Sequence, residues 1–229
     1  MSGIASGTHA SSPAASRTLY HFPQSLFSRR ARLLLAHKGL TANLKDARAD
    51  EQNLAEGKAL TPMGTMPVLV EPDGTVLTDS FAIALYLEHA YAGPRLFPSD
   101  KDDALLVGMV VTMVDRAMNI LVDLGTRYFA LRSDPAWKSV SAEQTKRAQG
   151  ALDELAKLTS TLGRPTIAKA GYGIADMWLL SATLWLEALP GRAPTTPLVQ
   201  QIVSLGVTLP PALSRWADPH RPTAEAVFA

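Results

Sequence analysis

A hydroxyl placed where a strand gives way to a helix can hold an anion, and this sequence has one at Ser25. The run Leu19-Tyr20-His21-Phe22-Pro23-Gln24-Ser25-Leu26 sets that hydroxyl beside backbone N–H groups that have no partner within the helix. The same oxygen also serves as an ordinary N-cap. Ser28 is the neighbouring rival, and Tyr20 offers a phenol from inside the strand, where packing against the sheet is its plain role. A second constellation is Asp79-Ser80, which opens another helix. Both residues are caps on the plain reading. A hydroxyl and an N–H at a helix start also suit a carboxylate, and Asp79 can attract an ammonium. The chain has no cysteine, so it supplies no thiolate, disulfide or thiolate metal ligand of its own. Any sulfur chemistry requires a thiol brought in by a ligand. His9, His21, His37, His89 and His220 are scattered without ligand spacing, and no metal is expected.

These groups must be held by elements, which hydrophobic pattern and breakers predict. Arg17 to Phe22 reads as a strand and Leu26 to Lys38 as a helix ending at Gly39. A short strand over Asn43 to Arg48 and an irregular helix over Asp50 to Gly57 follow. Met66 to Val70 and Thr75 to Leu77 form a hairpin across Glu71-Pro72-Asp73-Gly74. Phe81 to Tyr91 is a mostly apolar helix, giving the order βαβαββα. Gly93 to Asp100 is rich in breakers and reads as a linker.

Beyond the linker the pattern is wholly helical. Asp102 to Leu131 and Ser141 to Leu162 are long helices, the second opening with a Ser141 and Gln144 capping box. Ile174 to Leu189 is apolar nearly all round and reads as a central buried helix, with Asp176 at N3, Gly173 as cap and a Tyr172 to Met177 staple. Shorter helices are expected over Pro197 to Leu205 and Pro211 to Ala217. The expected organisation is a flexible leader at 1–16, an α/β domain at 17–92, a linker at 93–101 and an all-helical domain at 102–229.

Composition narrows the function. At 229 residues there is room for two small cores, and a net charge of +1 gives no field that would draw nucleic acid or an anionic membrane. Arg29, Arg30, Arg32, His37 and Lys38 cluster on the first helix, where a solvated face is expected. Residues 1–16 contain no Lys, Arg or apolar signal-peptide core. No stretch approaches roughly 18 uninterrupted apolar residues, the least a membrane-spanning helix needs. A soluble cytoplasmic protein is expected.

Four segments, in this order, resemble the cytosolic glutathione transferase family: Leu19 to Arg32 its first strand, active-site turn and first helix; Gly64-Thr65-Met66-Pro67-Val68-Leu69 its cis-proline segment; Leu77 to Leu87 its glutamyl-binding turn; and Gly173-Ile174-Ala175-Asp176 the start of its central helix. The resemblance implies a thioredoxin-like βαβαββα domain followed by an all-helical one, with glutathione as co-substrate. Ser25 takes the catalytic position. Met66 presents backbone groups beside a cis bond to Pro67, so that glutathione pairs by strand addition. Ser80 and Asp79 receive the γ-glutamyl carboxylate and ammonium, and Lys45 and Lys58 are the nearest cations for the glycyl carboxylate. Met109, Met113, Arg116 and Phe129 correspond to the electrophile-pocket helix, although a methionine stripe also suits a core. A homodimer is implied.

A thiol of pKa roughly 8.5 must lose about two units to react near neutrality, which requires about 2.7 kcal/mol in favour of the charged form. One charge-assisted hydrogen bond contributes about 1.5–3 kcal/mol and a helix N-terminus about 0.3–1 kcal/mol. One hydroxyl at a helix start is therefore sufficient. The expected function is transfer of the glutathione thiolate to a small apolar electrophile, with a non-catalytic binding module as the alternative. Gln24-Ser25-Leu26 lacks the Ser-Ser-Cys run of the isomerase class, and the absence of cysteine excludes a mixed-disulfide reductase.

Overall fold

The computed structural model describes residues 16–191 and 203–222, without the side chains of 128, 129, 190 and 191. The expected leader, residue 16 apart, lies outside those residues, as does most of the helix expected from Pro197.

Four short strands, β1 (Thr18–His21), β2 (Asn43–Asp46), β3 (Val68–Val70) and β4 (Val76–Thr78), form one mixed sheet in the order β2-β1-β3-β4. β1 pairs parallel with β2 and antiparallel with β3, which pairs antiparallel with β4. The parallel pair needs a crossover, supplied by α1 (Leu26–His37). α2 (Glu51–Ala59) leads from β2 towards β3, and α3 (Ser80–Ala90) follows β4. The β3–β4 hairpin closes where Gly74 donates its N–H to the Glu71 carbonyl at 3.0 Å, with Gly74 at φ 88°, a conformation that favours glycine. This is the thioredoxin-like βαβαββα order.

The rest is helical: α4 (Lys101–Leu131), α5 (Trp137–Thr161), α6 (Ile174–Gly191) and α7 (Pro211–Ala217), continued by a 3-10 turn over Asp218–His220. α5 begins earlier than the Ser141 capping box predicted. Asp134 caps the preceding turn instead, accepting the Ala136 N–H at 2.8 Å, and the Ser141 hydroxyl, inside the helix, donates back to the Lys138 carbonyl. The start of α6 follows its predicted chemistry. The buried Asp176 carboxylate accepts the Gly173 N–H at 2.9 Å and the Ile167 N–H at 2.8 Å. Burial pushes this carboxyl up to about 6, against the pull of the two N–H groups.

One continuous apolar core runs through both parts, from Leu19 and Leu34 through Leu87 to Val110, Trp178 and Trp216. α6 lies at its centre, packed on α1 as well as α4. By length and composition alone Lys101–Arg127 is apolar enough to cross a membrane, with 39% of its apolar window buried within the chain. Its Asp115 and Arg116 interrupt the apolar run that the sequence would otherwise show.

Candidate functional site

Strand register gathers the predicted residues at one end of the sheet. Lys45, Tyr20, Val68 and Thr78 form a row across the four strands. One step beyond that row the chain turns from β1 into the Ser25 segment, enters β3 through Met66-Pro67, and leaves β4 at Asp79-Ser80. Adjacent strands are about 4.8 Å apart, so β1 and β4, separated by β3, lie about 10 Å apart. An extended tripeptide is also about 10 Å long.

At the β1 end, Phe22-Pro23-Gln24-Ser25 makes a turn in which the Ser25 N–H donates to the Phe22 carbonyl at 3.0 Å. Ser25 then caps α1, its hydroxyl oxygen accepting the Ser28 N–H at a long 3.4 Å. Because the cap bond uses the oxygen as acceptor, the hydroxyl proton is left to donate elsewhere. Ser28 is fully buried, and its oxygen accepts the Phe22 N–H at 3.1 Å. It holds the turn from inside. The Tyr20 hydroxyl donates to Glu56 at 2.9 Å, and its ring packs with Ala47, Met66 and Val68.

In the middle, the Met66-Pro67 peptide is cis, and among the described residues the Met66 N–H and C=O take part in no hydrogen bond. Gly57 of α2 lies so close that an added Cβ would meet the Met66 side chain. At the far end, Asp79 has φ 73° and ψ 134°, a costly conformation for a residue other than glycine, and its carboxylate accepts the Phe81 N–H at 2.7 Å. Ser80 is buried at the first position of α3. Lys45 is paired with Glu56 at 2.6 Å, which holds the Glu56 carboxyl well below the usual range, whereas Lys58 is exposed.

The profile of glutathione S-transferase N-terminal domains matches residues 19–95, which contain this whole arrangement. Glutathione S-transferase Z2 of Arabidopsis thaliana is 40% identical over 87 residues, 36% of this chain and 37% of its own length. The chain thus spans little more than a third of that relative. An uncharacterised glutathione-transferase-like protein of Escherichia coli, YibF, is 28% identical over 72% of this chain and 73% of its own. A crystal structure of a glutathione transferase family member from Pseudomonas fluorescens, with bound glutathione, superposes with a TM-score of 0.69 at 25% identity, covering 93% of this chain and 98% of that one. Over residues 19–95 this chain is similar to the N-terminal domain of glutathione S-transferases.

The helical part supplies the family's remaining predicted residues less simply. Met113 packs half-buried against the core, while Met109 and Arg116 are exposed. The side chain of Phe129 lies outside the described residues. The α4 residue that meets α1 and α6 is Asp115, whose Oδ1 accepts from Arg30 of α1 and, at 3.0 Å, from the Trp178 indole N–H. Asp115 is two positions from Met113, which sets them on nearly opposite faces of the helix.

The basic cluster departs from expectation. Arg30 and Arg32 are buried, as is Lys38, which pairs with Glu88 at 2.9 Å. The Arg30 guanidinium lies 4.6 Å from the Trp178 ring centroid and 5.1 Å from that of Phe27. Its faces are thus covered by aromatic rings, and burial lowers its pKa to about 10 despite Asp115. Arg30, Asp115 and Trp178 had no legible signal in the sequence, because their meeting depends on the packing of three distant helices.

Proposed function

We propose that this protein is a glutathione S-transferase that holds glutathione along the end of its sheet, stabilises the thiolate at Ser25 and transfers the sulfur to a small apolar electrophile. The observation that carries the reading is the convergence of three turns at one sheet end, with a separation that matches an extended tripeptide. In this reading the Met66 backbone groups pair with the cysteinyl residue, as an added strand would. Ser80 receives the glutamyl carboxylate at the start of α3 and Asp79 attracts the ammonium. The sulfur then lies towards Ser25, whose hydroxyl donates to the thiolate while the first turn of α1 adds its N–H groups.

The residues present suit glutathione as a bound co-substrate, since they offer polar groups of the required kinds and no thiol of their own. We also propose a homodimer, which the exposed apolar residues Phe81, Leu85, Leu105 and Met109 on α3 and α4 favour. The test of the chemistry is ultraviolet absorbance of the enzyme-bound thiolate against pH. Ser25→Ala is expected to raise the bound thiol's pKa by about one to two units, the loss of one charge-assisted hydrogen bond. An unchanged pKa would remove Ser25 from the chemistry.

A further inference from the structure

Helix α1 violates the usual electrostatics of a helix start. The first turn of a helix favours acidic side chains, yet that of α1 has none and ends on Arg29, with Arg30 and Arg32 buried in the turn after it. Such a conflict between local preference and structure marks a place where function has set the residue. Arg30 is accounted for by Asp115 and the aromatic rings around it. Arg32 is directed elsewhere. Ser25, Ser28 and Arg32 follow the i, i+3, i+7 spacing of one helix face, and long helical side chains lean towards the N-terminus. The Arg32 Nη2 accordingly reaches back past Ser25, nine residues along the chain, and donates to the Pro23 carbonyl at 2.6 Å. Two side chains of that face therefore grip the same turn, Ser28 through the Phe22 N–H and Arg32 through the Pro23 carbonyl.

We propose that Arg32 is a positioning residue for thiol activation: it fixes the turn that presents Ser25, and its buried cation favours the thiolate over the thiol there. The inference rests on the glutathione reading above. On ionisation the S–H bond breaks and the proton leaves to solvent, so the sulfur gains the negative charge that the cation attracts. The charged and titratable groups around Arg32 fix the sign of the test. Asp46 at the end of β2 opposes its charge, and burial and then Arg32 itself lower the pKa of His21 at the end of β1. Arg29 and Arg30 share its helix, and the Arg48 guanidinium lies 5.2 Å from the Phe22 ring centroid.

The test measures the pKa of glutathione bound to the full-length protein by thiolate absorbance, with binding itself followed separately by calorimetry. Arg32→Met should raise that pKa by about one unit, a tenfold smaller thiolate fraction well below it. Asp46→Asn keeps an oxygen for the Arg48 and Ala49 N–H groups that Asp46 accepts, but removes the opposing charge. It should move the pKa in the other direction, downward. Structural damage cannot produce two shifts of opposite sign. A pKa unchanged in Arg32→Met with glutathione still bound, or a rise in Asp46→Asn, would overturn the role of Arg32. If Arg32→Met does not fold, the same rise is read in Arg32→Gln, which removes the charge and keeps an N–H donor on the side chain. Failure of the unaltered protein to bind glutathione overturns the functional reading and this inference with it.

Discussion

Ser25 and Ser28 are three residues apart and have different work. Ser28 is buried and accepts a backbone N–H from the turn, so Ser28→Ala leaves a buried donor unsatisfied and should cost about 1–3 kcal/mol of stability in chemical denaturation. The bound thiol's pKa should stay the same. Ser25→Ala should show the reverse emphasis, with about 1 kcal/mol lost as a missing cap and a clear rise in thiol pKa. A thiol pKa that responds to Ser28→Ala alone would exchange the two roles. At this scale much was legible: the cap at Ser25, the cap at Asp79 with Ser80 following it as the first helical residue, and the packing role of Tyr20 all follow from local spacing. Arg30 and Arg32 of α1 were not legible as buried groups. The burial of Arg30 depends on α4 and α6 closing over α1, where it meets Asp115 from 85 residues away.

The elements were read well where their signals are local, as in the Pro-Asp-Gly hairpin, and less well where two start signals compete, as at Asp134 and Ser141 before α5. Gly173 shows why the start of α6 lacks a side chain. A Cβ there would sit 2.8 Å from the Leu96 carbonyl oxygen, which already accepts the Ile174 N–H. Gly173→Ala should therefore destabilise the protein by about 1–3 kcal/mol, the cost of overpacking against backbone, seen as a lower denaturation midpoint. The end of the chain's described part responds to acid. His220 is buried between Tyr172 and Trp216, with Nε2 2.6 Å from the Pro165 carbonyl, and burial lowers its pKa below 6.5. The native state thus favours the neutral ring, so its stability contribution is present above pH 6.5 and is lost as the pH falls from there towards the lower native pKa. His220→Gln, which retains a donor for Pro165, should flatten this part of the stability profile. An equal slope in both proteins would assign the acid sensitivity to other groups.

For the whole molecule, the shared core explains why the linker is not a gap in packing: α6 belongs to the helical part in sequence but packs on α1 of the sheet part. The exposed face of α4 carries Leu105, 67% exposed, and Met109, 52% exposed, so much of this apolar helix is uncovered within one chain. A second copy covering that face predicts a dimer in sedimentation at micromolar concentration, and Leu105→Glu should shift it to monomer by placing a charge in an apolar contact. A monomeric unaltered protein would contradict the pairing. The identity of the electrophile was not legible, because its pocket depends on side chains from several helices rather than on one segment. The central claim concerns glutathione itself, and calorimetric titration of the full chain with the tripeptide tests it most directly. Binding is predicted, weakened about tenfold or more in Ser80→Ala as one hydrogen bond to a charged carboxylate is lost; no detectable heat of binding at millimolar glutathione would contradict the account.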